Sequence, residues 1–360
     1  MTTFHNVRLP YSALLGSLQK PANFHTNLMD IIWRITIGTI ALGCLALPFM
    51  QSYATIGTMY SLRRCIGSPA NRMPILQFRT QQAPILSVTA SAYMMQALQR
   101  WAIEQFCDER LDSRVRHGIA AIFKAVMVQH TQAGCMGVSE RCGAQGLFAH
   151  NQMTALHNEM RGIAIAEGDI LGLSIRLVTE ILIGRYEMPP SINPTSLLAR
   201  HEAGLFKELR ETIASVPHHR SSEVNRLILP HSQAMVEAMG HRMAYDAAVA
   251  AGVRPCLIDL YVANAVKLDP AWYAENAHLG RRAQADMETK AMDEVLPLLG
   301  TLVREMDVIP YITAPIVSDE LWSAFVGSLQ VFKGNGKVDV FHEQGPDLFT
   351  PDAEMVRSHL

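Results

Sequence analysis

Apolar residues recur at three- and four-residue steps through almost the whole chain, and this period restricts the fold more than any other feature. Residues 28–64 read as one long apolar helix, with Gly38 and Gly43 as small residues that let neighbours pack closely. Residues 80–107 read as a second helix. Asp112 or Ser113 can cap a third, which continues through RHGIAAIFKAVMVQHTQAG. A Gly-containing break at 143–146 precedes helical stretches near 151–166 and 169–185. Pro189, Pro190 and Pro194 mark a linker, and beyond it come 197–216, 221–252, 255–267, 271–305 and 317–331. Helices this apolar on more than one face must pack against several neighbours. Only residues 4–10, FHNVRLP, alternate like a strand. The expectation is an all-α protein of two antiparallel helical bundles, with a remnant β-strand at the N-terminus. The units are 1–25, 26–188, 189–333 and a loose Gly-, Pro- and Asp-rich tail at 334–360.

The 360 residues are 49% hydrophobic and 18% charged, enough apolar matter for a sizeable core and too much for a disordered chain. A net charge of -2 with no dense Lys/Arg run argues against nucleic acid or an anionic membrane as partner. The most apolar segment, 35–50, is short for a membrane span, follows Arg34 directly and contains Pro48, so a buried helix is expected there. No signal peptide is evident at the N-terminus. Six irregularly spaced cysteines with no C-x-x-C pair suggest reduced thiols in an intracellular compartment. No G-x-S-x-G elbow, Walker loop, H-E-x-x-H or G-x-G-x-x-G occurs. His150 with His157, and His218 with His219, lack companion ligands, so no metal site is expected.

Five stretches, in order, resemble the acyl-CoA oxidase and acyl-CoA dehydrogenase family. NVRLPYSALLG (6–16) resembles the exit from the family's β-domain. YSLRR (60–64) and PILQFRTQQAPIL (74–86) resemble its paired arginines and its T-Q-Q helix start. ERCGAQGL (140–147) resembles the C-G-G-H-G-Y loop, and AEGDI (166–170) resembles E-G-D-N. LIDLYVANAVKLDPAW (257–272) is similar to the oxidase C-terminal signature. The resemblance covers the C-terminal helical part of the family. The N-terminal helical domain and the β-domain that precede it there have no counterpart in this chain.

The resemblance implies FAD as hydride acceptor and an acyl-CoA or related thioester as substrate. Glu167 is the implied base that removes the α-proton, and Gly168 lets backbone approach the thioester. An α C–H beside a thioester is a weak acid, so a dry pocket that raises the carboxylate's pKa is expected around Glu167. The family builds its FAD site across two subunits. The matching positions for the diphosphate are Arg63 or Arg64, Gln82, Cys142, Gly143 and Gly146; guanidinium forks and free backbone N–H groups suit that anion. The sequence departs from the family at Ala144, Gln145, Leu147, Ile170, Ile175, Arg176 and Thr179. The partner implied is a longer homologous subunit or a second copy. Ser358-His359-Leu360 is similar to the peroxisomal S-K-L address. Three functions stay open: a catalytic subunit of a flavoenzyme, a non-catalytic subunit completing a partner's FAD site, and a non-redox acid/base enzyme on the same fold.

Overall fold

The computed structural model describes residues 1–331, with the backbone alone described at residues 25, 26 and 29. The stretch expected as one helix over 28–64 is three: α1 (Phe24–Ile31), α2 (Trp33–Cys44) and α3 (Ala46–Arg63). Pro48 explains the second break. It has no N–H to give the Cys44 carbonyl, and it is tolerated where it stands, in the first turn of α3. A two-residue antiparallel ladder, β1 (Cys65–Ile66) with β2 (Met73–Pro74), then turns the chain into α4 (Arg79–Cys107), close to the expected bounds. In α5 (Ser113–Arg141) Asp112 is the cap, its carboxylate accepting the Arg114 N–H at 2.8 Å. Next come α6 (Met153–Ile165) and α7 (Ile170–Leu182), capped by Asp169.

Beyond the proline linker lie α8 (Leu197–Ala214), α9 (Ser222–Leu227), α10 (Ser232–Ala250), α11 (Pro255–Val266), α12 (Pro270–Asn276), α13 (Arg281–Val295), α14 (Leu299–Glu305) and α15 (Asp319–Ser328). The long stretches expected at 221–252 and 271–305 are each interrupted, at Pro230 in the first and at Gly280 and Pro297 in the second. The all-α class stands. The remnant strand does not: residues 4–10 form no strand, and the β1–β2 pair is the only ladder among the described residues. An alternating segment becomes a strand only when a neighbour takes up its N–H and C=O groups, and none of the described residues pairs with it.

Helices α4 and α5 pack along each other at the centre, with α2 and α3 against them. Met50, Tyr53, Ile56, Ile85, Met94 and Val126 are fully buried there. The stretch Trp33–Arg63 is long and apolar enough to cross a membrane by length and composition. Its α3 half, however, is buried against α4 and α5. Helix α10 lies on α4, α5, α7 and α8, so apolar packing continues across the linker. The linker is tied down by Asp246 of α10. Its carboxylate accepts from the Ser191 hydroxyl, the Ile192 N–H and the Asn193 amide at 3.0–3.3 Å. Asp246 also lies beside Arg242, whose guanidinium clasps Glu202 of α8 through two hydrogen bonds. The 334–360 tail and its Ser358-His359-Leu360 tripeptide lie outside the described residues.

Burial of three histidines in this interior has a consequence for acid stability. His130 Nε2 meets the Tyr261 hydroxyl at 3.1 Å, and desolvation pushes its pKa down to about 4. His117 is pushed down to about 4 by desolvation and then by Arg176, and His241 well below the ordinary histidine value by desolvation and then by His130. The unfolded chain therefore binds more protons than the folded one between about pH 4 and 6.5, so stability is full above that window and falls as pH drops through it. We expect urea midpoints to fall over this range, and His130→Gln to reduce the loss by about 3 kcal/mol, the worth of holding that ring at about 4 and not at the ordinary histidine value. A flat pH profile in the wild type would contradict the burial of these rings.

Candidate functional site

Residues 166–168 form the turn between α6 and α7, and three consecutive carbonyls in it are held by side chains. Lys124 of α5 gives its ammonium to the carbonyls of Ala166, at 2.5 Å, and Gly168, at 2.7 Å. Thr39 of α2 gives its hydroxyl to the Glu167 carbonyl at 2.6 Å. Glu167 sits at φ 54°, a left-handed conformation that an L-residue with a long side chain seldom adopts unless its surroundings impose it. Gly168 follows at φ 100°, which only glycine reaches at little cost. The Glu167 side chain lies on the bare backbone of Gly38: a methyl group there would come within 2.7 Å of the glutamate's Cγ and carboxyl carbon. The small residue expected to aid helix packing thus makes room for the carboxylate.

Lys124 is fully buried, and burial lowers its pKa, with Asp169 and Glu167 opposing the shift. Its charge is balanced locally by two carbonyl dipoles and two nearby carboxylates rather than by a contact ion pair. Glu167 itself is exposed. This corrects the expectation of a dry pocket: among the described residues nothing encloses the carboxylate. On the other side of the turn a groove of about 690 Å³ runs between α5, α6, α7 and the start of α10, past Ile165, Asp169 and Ile170.

The expected diphosphate residues gather elsewhere, where α3 ends, α4 begins and α5 ends. Lys124 and Arg141 are seventeen residues apart on α5, so at 1.5 Å per residue this cluster lies about 25 Å along the helix from the Glu167 turn. Gln81 ties it together, donating to the Ser61 hydroxyl at 2.9 Å and to the Arg141 carbonyl at 3.0 Å. Arg64 is exposed, its guanidinium beside the Tyr60 hydroxyl. Arg63 instead binds Asp319 and the Ile316 carbonyl, anchoring the segment at α15. Gln82 is buried and donates to the Leu76 carbonyl. Cys142 is buried, its thiol pushed up to about 12 by desolvation, and its N–H goes to the Ser139 carbonyl. Gly146 fits because a Cβ there would stand 2.1 Å from the Ser139 oxygen. Gly143 is exposed at φ 60°. Of the seven cofactor candidates, then, Arg64 and Gly143 face outward here, whereas Gln82, Cys142 and Gly146 are buried within the chain.

The sequence reading missed Lys124, Thr39 and Gln81. A lone lysine inside the apolar run GIAAIFKAVMV was the available signal for the first, since a buried ammonium must have partners.

Residues 39–182 match the family model described as the acyl-CoA oxidase C-alpha1 domain. The matched stretch is similar to that domain and covers two fifths of the chain. Both the Glu167 turn and the Arg64–Gly143 cluster lie inside it. Among solved structures, the chain is similar to Arabidopsis thaliana acyl-CoA oxidase 1 (TM-score 0.69, 14% identity, covering 81% of this chain and 53% of that one). It is also similar to acyl-CoA oxidase 1 from Yarrowia lipolytica (TM-score 0.71, 13% identity, covering 88% and 58%). A third is acyl-CoA oxidase 2 of Caenorhabditis elegans, solved with FAD, ascaroside-CoA and ATP (TM-score 0.68, 14% identity, covering 88% and 56%). The fold is thus that of the helical C-terminal part of acyl-CoA oxidases, and the chain spans little more than half the length of those structures. No curated protein sequence matches it. Among the described residues, no cluster of three or more His, Cys, Asp or Glu is arranged to hold a metal ion.

Proposed function

We propose that the chain is the helical part of an acyl-CoA oxidase-type flavoenzyme, with Glu167 as the base that removes the α-proton of an acyl thioester. The observation that carries this is the turn itself: a glutamate in a strained conformation, its carbonyl and both neighbouring carbonyls fixed by Lys124 and Thr39, inside the C-alpha1 domain. Strain is kept where the surroundings impose it, and fixed geometry is what proton abstraction needs. Bound FAD would supply the acceptor for the hydride leaving Cβ. The chain's own share is to hold the Glu167 carboxylate over Cα and take the proton there, leaving an α,β-unsaturated thioester.

The exposed carboxylate needs a cover, and so does the apolar surface near it. Leu28, Ile31, Ile35 and Ile37 on α1 and α2 are roughly half exposed or more, as are Leu9 and Leu15 ahead of them. Further protein surface, from a homologous subunit or a second copy, is proposed to seat there and exclude water. The Arg64–Gly143 cluster, about 25 Å away along α5, is proposed to meet the FAD diphosphate at a site shared between two chains. The residues fit in part: an outward guanidinium and an exposed glycine loop suit a diphosphate. Gln82, Cys142 and Gly146 act on this cluster only as its scaffold. A peroxisomal destination, suggested by Ser358-His359-Leu360, goes with this reading.

The test is an absorption spectrum of the purified chain, alone and with whatever co-purifies. Flavin bands are expected in the assembled sample, and Arg64→Ala is expected to lower its flavin content about tenfold, the worth of one charge-assisted contact. A colourless assembly that still acts on a thioester would favour the non-redox acid/base alternative.

A further inference from the structure

A lysine at the centre of a helical bundle is out of keeping with its surroundings. Lys124 is 0% exposed, between Phe123 and Ala125 of α5, which are themselves buried. Helix α2 closes tightly over this point: a Cβ on Gly43 would come within 2.7 Å of the Phe123 ring and 3.4 Å of the Lys124 Cα. Desolvation lowers the pKa of the ammonium, with Asp169 and Glu167 opposing the shift, so the folded chain holds this proton less tightly than water does. An apolar side chain of similar length would incur none of that cost, and exchanging buried charge for apolar matter is often neutral or stabilising. Packing and stability therefore give no reason for a lysine here.

What the ammonium touches does give one. Among the described residues its hydrogen bonds go to the carbonyls of Ala166 and Gly168, the two that flank Glu167, and to no carboxylate. Neither carbonyl belongs to a buried residue in want of a donor. Ala166 is exposed and Gly168 half-buried, so water could serve both if the turn relaxed. Glu167 and Gly168 take positive φ in succession, at 54° and 100°. Such conformations persist only where the surroundings over-determine them. The ammonium clamps the chain on both sides of Glu167, and the Thr39 hydroxyl holds the carbonyl between.

We propose that Lys124 is a positioning residue: it keeps the Glu167 turn in the shape that aims the carboxylate, at a cost to the stability of the fold. This rests on Glu167 as the proposed base and adds what that reading leaves open, the reason a charge is buried beneath it. A residue kept for stability and a residue kept for the site differ in sign. Removing the first lowers the urea midpoint, whereas removing the second leaves the midpoint in place or raises it and loosens the site alone.

The test is Lys124→Met, which keeps an apolar stem and removes the charge. Its urea midpoint is expected to equal or exceed that of the wild type. Three amides report the turn: Ala166, bonded to the Gly162 carbonyl, Gly172, bonded to the Asp169 carboxylate, and Leu173, bonded to the Asp169 carbonyl. Their hydrogen exchange is expected to speed up about tenfold or more, while amides in the middle of α4 keep their rates. Thr39→Val, which removes the hydroxyl and keeps the shape, is expected to loosen the same amides. In the assembled protein Lys124→Met should lower turnover of an acyl-CoA about tenfold or more and leave KM within about twofold. A clear fall in the urea midpoint, wild-type exchange at all three amides in both variants, or a raised KM with unchanged turnover would each overturn the proposal. Exchange and midpoint need neither flavin nor turnover. A silent Glu167→Gln beside loosened amides would remove the base and leave the clamp, and wild-type amides beside an inactive Glu167→Gln would remove the clamp and leave the base.

Discussion

Glu167→Gln should lower turnover of an acyl-CoA by about 10²–10⁴, the usual worth of a positioned general base, while leaving the fold intact. Glutamine has the same shape against Gly38, and the hydrogen bonds that fix the turn run to backbone carbonyls, so the substitution removes proton affinity and little else. The urea midpoint should therefore move by no more than about 0.5 kcal/mol. Enoyl thioester formation by the assembled protein is the assay. Unchanged turnover in this variant would remove Glu167 from the chemistry. If Arg64→Ala also lowered flavin content, the non-catalytic reading would stand in its place.

Arg242→Ala should cost about 3–5 kcal/mol of stability, the largest single loss expected from this fold. Arg242 is 3% exposed and holds Glu202 through two hydrogen bonds, with Asp246 3.7 Å from the guanidinium. Desolvation already pushes the Glu202 carboxyl up, with Arg242 opposing it. Without the guanidinium, α8 and α10 are left with two poorly solvated carboxylates, Glu202 and Asp246, at one contact. The paired change Arg242→Met with Glu202→Met should recover much of the loss, because a buried ion pair is dear to break and cheap to replace whole. Chemical denaturation of the three proteins measures this. A loss below about 1 kcal/mol in Arg242→Ala would mean that water reaches these carboxylates.

Much of the helical content was legible because burial on a helix leaves a period of 3.6 in the residue order. The bounds of α4 came directly from that period, and local cap chemistry narrowed the start of α5 to Asp112 or Ser113, of which the structure uses Asp112. The breaks were less legible. Pro48 and Pro297 each stand near the start of a helical segment, where a proline is compatible with the pattern on both sides of it. The expected strand over 4–10 failed for the opposite reason: alternation is local, whereas a ladder needs a neighbour that no local pattern supplies. At the candidate site the residue types were readable and their commitments were not. Arg63 and Arg64 are adjacent in sequence, yet one is spent on Asp319 and the other faces outward. Lys124 lies forty-three positions before Glu167, and only the packing of α5 beside the turn brings its ammonium there.

The way the Glu167 turn is fastened separates its shape from its reagent. The three carbonyls of residues 166–168 are fixed by the side chains of Lys124 and Thr39. The carboxylate is a passenger on that frame. A descendant of this protein could exchange the acid for an inert residue and keep the same bend, so the contour of the loop is a record of ancestry, and the identity of one side chain decides whether chemistry survives in it.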